Sequence, residues 1–270
     1  MDVVDVWAQV PTARMAAAPW MESLLRWAGR PGDTRPTTVE QTIAAMDEAE
    51  VDLALVSAWY APGGPLIDND ELLAQVDEAP DRLRALIGAD LDRPMDAVRM
   101  IRDLGADDRV VGVRIVPWLW DAAPDDRRYY PLYVACIEAG LPFCTQIGHT
   151  GPLRSSETGR MIPHLERAML DFPELVVVGG HVGFPWIDEL VTMTVKFPNF
   201  HVDTSAYALD RLPPTFVDYV RGLGRDRVMF GTNWPMIPPA RCLAGMGGLD
   251  LGDDARAAFL GGTARRVFSL

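Results

Sequence analysis

Short runs of apolar, mostly β-branched residues recur along this chain, separated by stretches whose apolar positions return every three or four residues. The first pattern reads as a strand buried on both faces, the second as a helix packed on one face. Strands are predicted at 3–6, 51–57, 83–90, 110–116, 142–147, 176–178, 200–204 and 227–231. Helices are predicted at 38–50, 69–77, 95–104, 132–139, 163–171, 186–196, 214–222, 253–260 and 263–268. Thr38 suits an N-cap, because its hydroxyl can accept from a free N–H of the first turn. Strands alternating with helices imply parallel βαβ units. Eight such units in a chain of 270 residues fit a single (β/α)8 TIM barrel of the α/β class, rather than an open doubly wound sheet. Residues 1–270 then form one domain.

One connection is out of scale. Residues 10–38, with Pro11, Pro19, Pro31 and Pro36, are longer than a compact domain needs. Such a loop is usually functional or contacts a partner, so a homodimer is one expectation. Within it, 19–29 has the spacing of a short amphipathic helix carrying Trp20, Leu24, Leu25 and Trp27.

Composition then removes several function classes. A formal net charge of −13 argues against nucleic acid and anionic membrane surfaces as partners. No apolar run approaches the ~18 residues of a membrane helix, and the acidic start MDVVDVWAQ lacks the basic end of a signal peptide. Cys136, Cys144 and Cys242 are odd in number and have no metal spacing, which points to a reduced, cytoplasmic chain. The only lysine, Lys196, falls near the end of a predicted helix, so neither a Schiff-base lysine nor a carbamylated one has a candidate. No GxGxxG follows the first strand and no GxxxxGK[ST] occurs, which disfavours a nucleotide-phosphate site.

In a parallel barrel the strand ends converge on one mouth, where ligands bind. The stretch VVVGGHVGFPWIDE puts His181 where a strand stops, with Pro185 suited to the first turn of the next helix. The same rule delivers Trp7, Gln9, Trp59, Arg114, Gln146, His149, Asp203, Ser205, Tyr207 and Asn233 to the mouth. Six of the eight tryptophans (Trp7, Trp59, Trp118, Trp120, Trp186 and Trp234) fall at strand ends or just after them, which suggests an apolar pocket for a flat or cyclic ligand. Arg114 is expected to face the mouth and grip a carboxylate with its two-toothed fork. His149 lies in a Gly-flanked loop of the kind that places N–H groups near anions. Asp203 is expected to orient His181. His164 and His201 are read as structural, and Asp125-Asp126 as a solvated loop beside a lid formed by Trp118 and Trp120.

The segments GHVGFPWIDE, GHTGPLRSSETGR and FGTNWPM, with an opening strand that ends VVDVWAQ, resemble the amidohydrolase-related superfamily. More narrowly, they resemble its branch of aminocarboxymuconate-semialdehyde decarboxylase type. The resemblance implies a metal held by His-x-His after the first strand, a His after the fifth, a His after the sixth and an Asp after the eighth. Here those positions carry Trp7 and Gln9, then Gln146 or (by a shifted reading) His149, then His181, then Asn233. Trp cannot ligate in this role, and amide oxygens are weak ligands for zinc. The expectation is therefore an enzyme without metal or other cofactor. It would hydrolyse a lactone or amide, or decarboxylate, on a small cyclic or aromatic carboxylated substrate by His general acid–base catalysis. His181, His149 and Asn233 are the expected catalytic residues; Trp7, Gln9, Trp59, Arg114, Gln146, Asp203 and Tyr207 are expected to bind substrate. Trp7 should form the apolar floor of the pocket with Gln9 as its polar handle, so that Trp7→Ala weakens ligand binding in an intact barrel. Two alternatives stay open. One is a zinc or manganese enzyme with a rearranged ligand set drawn from His149, His181 and Asp203. The other is a barrel that has lost catalysis and binds a ligand or partner.

Overall fold

In the computed structural model, which describes residues 2–33 and 35–270 and only the backbone of Trp27, eight parallel strands stand side by side in chain order. They are Val4–Ala8 (β1), Leu53–Ser57 (β2), Leu83–Ile87 (β3), Val110–Ile115 (β4), Phe143–Gln146 (β5), Val177–Gly180 (β6), Phe200–Asp203 (β7) and Val228–Met229 (β8). The ring closes because β1 and the segment after β8 share hydrogen bonds. Val6 N donates to Phe230 O (3.1 Å), Asn233 N to Trp7 O (2.7 Å) and Gln9 N to Trp234 O (3.1 Å). This is a (β/α)8 barrel, and each predicted strand is found in it. Most strands are shorter than the apolar runs, whereas the first and sixth run two residues further at their carboxyl ends, to Ala8 and Gly180.

The helices follow the predicted periodicity. Val39–Glu48 starts from a full capping box, in which the Thr38 hydroxyl accepts from Gln41 N (3.2 Å) and the Gln41 side chain accepts from Thr38 N (3.0 Å). Thr38→Ala is expected to cost about 1 kcal/mol, read as a lower urea midpoint with an unchanged denaturant slope. At one helix start the structure departs from expectation. Pro185 lies in the turn before Ile187–Lys196 and follows a cis peptide bond, rather than opening the helix. An antiparallel hairpin, Trp59–Ala61 with Gly64–Ile67, was also absent from the predicted elements. It turns through Gly63 and Gly64 at φ +95° and +125°, a backbone that only glycine adopts freely.

Opposite the mouth, Val4, Val6, Leu53, Leu55, Leu86, Val178 and Met229 pack with Ala264 and Phe268 of the last helix, Thr263–Phe268, which seals that end. Residues 10–38 fold back over the mouth as Ala13–Ala16 and Met21–Trp27, their ends joined by Thr37 N to Pro11 O (3.1 Å). Trp20 packs on Trp59 and Trp118, with ring centroids 6.0 and 5.0 Å away. The long loop thus spends apolar surface on its own barrel. The part of the predicted helix that concerns the Trp27 side chain lies outside the described residues. The acidic pair is not a solvated loop: Asp125 pairs with Arg167 and with His164 Nδ1 (2.8 Å), and Asp126 with Arg128 (3.0 Å). His164 and His201 lie away from the cavity described next. Among the described residues no helix is long and apolar enough to cross a membrane.

Candidate active site

A cavity of about 740 Å³ opens at the carboxyl ends of the strands, within the usual range for small-molecule sites. Of the residues singled out in the sequence, Gln9, Trp59, Gln146, His149, His181, Tyr207 and Asn233 line it. Trp7, Arg114 and Asp203 do not. They lie beneath it, each fully buried or nearly so.

His181 is held by its strand end and by two side chains behind it. Its backbone takes φ +74°, and Val182 follows at +65°, a left-handed bend that costs an L-residue energy and concentrates at functional sites. Ring Nδ1 stands 2.7 Å from Ser205 Oγ, and Ser205 donates both its hydroxyl and its N–H (2.8 Å) to Asp203 Oδ1. Since the Ser205 proton goes to the carboxylate, Ser205 Oγ is left to accept from His181 Nδ1–H. This donor count assigns the Nδ1–H tautomer and leaves Nε2 as the unprotonated nitrogen available to the cavity. Burial, and then the charge of Arg114, push the His181 pKa down to about 3, so the ring is neutral over the physiological range. Burial pushes Asp203 up to about 6, opposed by the hydrogen bonds from Ser205. Asp203 thus orients His181 as expected, but through Ser205, a link that the sequence reading placed on the same strand face without giving it a role.

Three expectations change. Arg114 does not reach the mouth. Its guanidinium lies over the Trp7 ring, 3.8 Å from the centroid, and donates to Val6 O (2.7 Å). Stacked under an indole and fully buried, it cannot meet a substrate carboxylate; the strand alternation that aimed it inward was right, but the depth was not. Trp7 is not the cavity floor either. Its ring sits one layer lower, 4.6 Å from the His181 ring, packed so closely on Gly180 that a Cβ there would meet Trp7 Cζ3 at 2.2 Å. Gln9 and Gln146 reach the cavity wall, but their amide nitrogens are committed. Gln9 Nε2 donates to Asn233 Oδ1 (3.1 Å) and to Asn233 O (3.3 Å), and Gln146 Nε2 to the carbonyls of Ile147, Gly148 and His149 (3.0, 3.0 and 3.1 Å). They pin loops rather than polarise a substrate. Asn233 lines the cavity, its Oδ1 accepts from Gln9, and no described residue takes a hydrogen bond from its Nδ2.

Of the six mouth tryptophans, only Trp59 and Trp118 line the cavity; the Trp234 indole N–H instead donates to Thr42 Oγ1 (3.0 Å). Sequence reasoning missed Met15, Met21 and Leu24 of the long loop, and Arg30, Arg211 and Arg241. The loop's length was a signal for the first three. Arg30 shared that signal; Arg211 and Arg241 carried none, since neither stands at a strand end.

These residues do not fit a divalent metal. Among the described residues no three His, Cys, Asp or Glu side chains come together as a ligand group. No described Asp or Glu lines the cavity; Asp203, one oxygen of which accepts from Ser205 while the other has no hydrogen-bond partner among the described residues, is buried beneath it, and Trp7 fills the space beside His181. A dication there would find neutral amides and imidazoles above the positive charge of Arg114, a poor ligand field.

The amidohydrolase family model matches residues 4–270. The chain belongs to the amidohydrolase family. The family is one of enzymes. Three solved structures align with the whole of this amidohydrolase. An uncharacterized TIM-barrel protein from Bordetella bronchiseptica is 24% identical, is covered to 99% and has a TM-score of 0.83. A 5-carboxyvanillate decarboxylase from Sphingomonas paucimobilis is 22% identical, covered to 99%, TM-score 0.74. A 5-carboxyvanillate decarboxylase from Novosphingobium aromaticivorans, complexed with manganese and 4-hydroxy-3-methoxy-5-nitrobenzoic acid, is 18% identical, covered to 95%, TM-score 0.71. At these identities the likeness establishes the fold. No curated protein matches the chain.

Proposed function

We propose that this amidohydrolase acts on a small cyclic or aromatic carboxylated substrate, with neutral His181 as general base and Asn233 as the hydrogen-bond donor to developing oxyanion charge, and without a metal at the mouth. The observation that carries this reading is the chain Asp203–Ser205–His181, which leaves a bare Nε2 on a cavity walled by Trp59, Trp118 and Tyr207. The unprotonated imidazole nitrogen can take a proton from water, weakly while burial and Arg114 hold its pKa near 3 and more strongly once a bound substrate carboxylate offsets that positive charge. Asn233 Nδ2 can stabilise the oxyanion formed as that water attacks a carbonyl, and the imidazolium returns the proton to the leaving oxygen or nitrogen. Hydrolysis of a lactone or amide follows most directly. His149, exposed on the loop after β5, is assigned to the passage of protons or substrate at the rim.

Decarboxylation is the second reading, because the aligned structures include aromatic-acid decarboxylases. It would require His181 to hand a proton to the substrate carbon, and the tautomer assigned above holds that proton on the buried side.

The test is turnover of a panel of aromatic acids and carboxylated lactones by protein of measured metal content, with and without a chelator. Hydrolysis gives a ring-opened acid and no gas; decarboxylation releases carbon dioxide. Turnover that persists at less than a tenth of an equivalent of metal supports the reading. Activity that vanishes with chelation and returns with manganese would overturn its metal-free part.

A further inference from the structure

None of the described residues lining the cavity is an Asp or Glu, whereas three are arginines: Arg30, Arg211 and Arg241. The chain as a whole carries 38 acidic and 25 basic residues, so this local reversal of sign is not inherited from composition. Two of the three are occupied. Arg30 donates to Pro235 O (2.6 Å) and pairs with Asp33. Arg241 grips Asp210 through both terminal nitrogens, at 3.0 and 3.1 Å. Arg211, exposed at the rim, makes no side-chain hydrogen bond or ion pair with any described residue. Its neighbour Asp210 lies within its field, but that carboxylate is already held by Arg241.

We propose that Arg211 is the anion-binding residue of this cavity, holding a carboxylate at the rim while the apolar body of the ligand lies along Met15, Met21, Trp59 and Trp118 towards His181. A guanidinium is charged at every working pH and offers parallel N–H donors that match a carboxylate. Arg211 is the lining arginine whose fork is unspent. The cavity volume of about 740 Å³ exceeds what a single benzoate fills, so the ligand class is an acid whose carboxylate stands off from the ring by a chain or a second ring. The identity of the reacting end rests on the function proposed above; the binding of the acid does not.

The test is binding of benzoate, 3-phenylpropanoate and 4-phenylbutanoate, each against its primary amide, read by quenching of the tryptophan fluorescence to which Trp59 and Trp118 contribute. In the native protein the longer acids are expected to bind about 2- to 5-fold more tightly than their amides, the range of a solvent-exposed charged pair. Arg211→Gln should erase that preference and leave amide binding unchanged, and Arg211→Lys should keep part of it. Arg225→Gln, on the exposed loop before β8, should keep all of it. A preference that survives Arg211→Gln, or a native protein that binds acids and amides alike or neither, overturns the proposal. His181→Asn separates the two readings. It should retain the acid preference, so loss of turnover in that variant bears on the chemistry, and loss of the preference in Arg211→Gln bears on the subsite.

Discussion

His181→Asn is expected to lower kcat on any true substrate by about two to four orders of magnitude, the usual worth of a positioned acid–base group, with the thermal midpoint close to native. Asn is chosen because position 181 has φ +74°, a backbone that asparagine tolerates better than most residues, and because its amide can still donate to Ser205 Oγ. Loss of activity is then loss of Nε2, not of the loop. Full activity in this variant would remove His181 from the chemistry. The pH profile carries a second signature. The imidazole is held down to about 3 by burial and by Arg114, so its own protonation cannot limit activity near neutrality. Asp203, held up to about 6, is ionised above that pH and becomes neutral below it. Neutral Asp203 is a poorer acceptor for Ser205 and no longer offsets the charge of Arg114, so kcat should fall as pH drops through about 6. Asp203→Asn should flatten that limb and lower the plateau. Ser205→Ala should weaken the same dependence by breaking the link, with little change in KM. A limb left unmoved in both variants would mean that the carboxylate does not act through Ser205.

Trp7→Ala is expected to cost about 3–5 kcal/mol of folding stability, the range for deleting a large buried aromatic, out of a total of roughly 5–15 kcal/mol for an ordinary domain. The indole is fully buried between Gly180, His181 and Arg114. Removing it leaves a void next to a guanidinium that loses its stacking partner. Chemical denaturation should register the loss as a lower midpoint. If the variant does not fold well enough to measure, Trp7→Phe, which keeps a ring, should show a smaller drop in the same direction. This replaces the expectation that truncating Trp7 acts on ligand affinity in an intact barrel. A wild-type midpoint with weakened binding would restore that earlier expectation.

The barrel was readable because its signal is repeated. Each buried strand is an apolar run ended by Gly or a polar residue, and eight of them at regular spacing admit few architectures. Which residues reach the mouth was readable to the accuracy of one strand position. That sufficed for His181 and Gln9, each the first residue after its strand, and for Asn233, four residues past the end of β8. It failed for Arg114 and Trp7, because depth inside a barrel depends on the tilt and stagger of all strands together, which no single stretch encodes. It failed differently for Arg211. That residue comes from the 3₁₀ turn Leu209–Arg211 after β7, and it is left without an acidic partner because Arg241, 30 residues further on, takes its neighbour Asp210. The hydrogen-bond state of the Gln9 and Gln146 amides was likewise invisible, since it depends on carbonyls presented by loops.

The contact between Gly180 and Trp7 also constrains the order in which this barrel's history could have run. Any side chain at 180 would collide with the indole at 2.2 Å, so a bare α-carbon at 180 must have come before, or together with, the large ring at 7. The reverse path is gated in the same way. A lineage that regained a side chain at 180 would first have to give up the indole, passing through an intermediate with an empty space at its centre and a stranded guanidinium beside it. Two positions more than 170 residues apart in sequence therefore cannot drift independently: among relatives, an indole at the first should be found only with a glycine at the second.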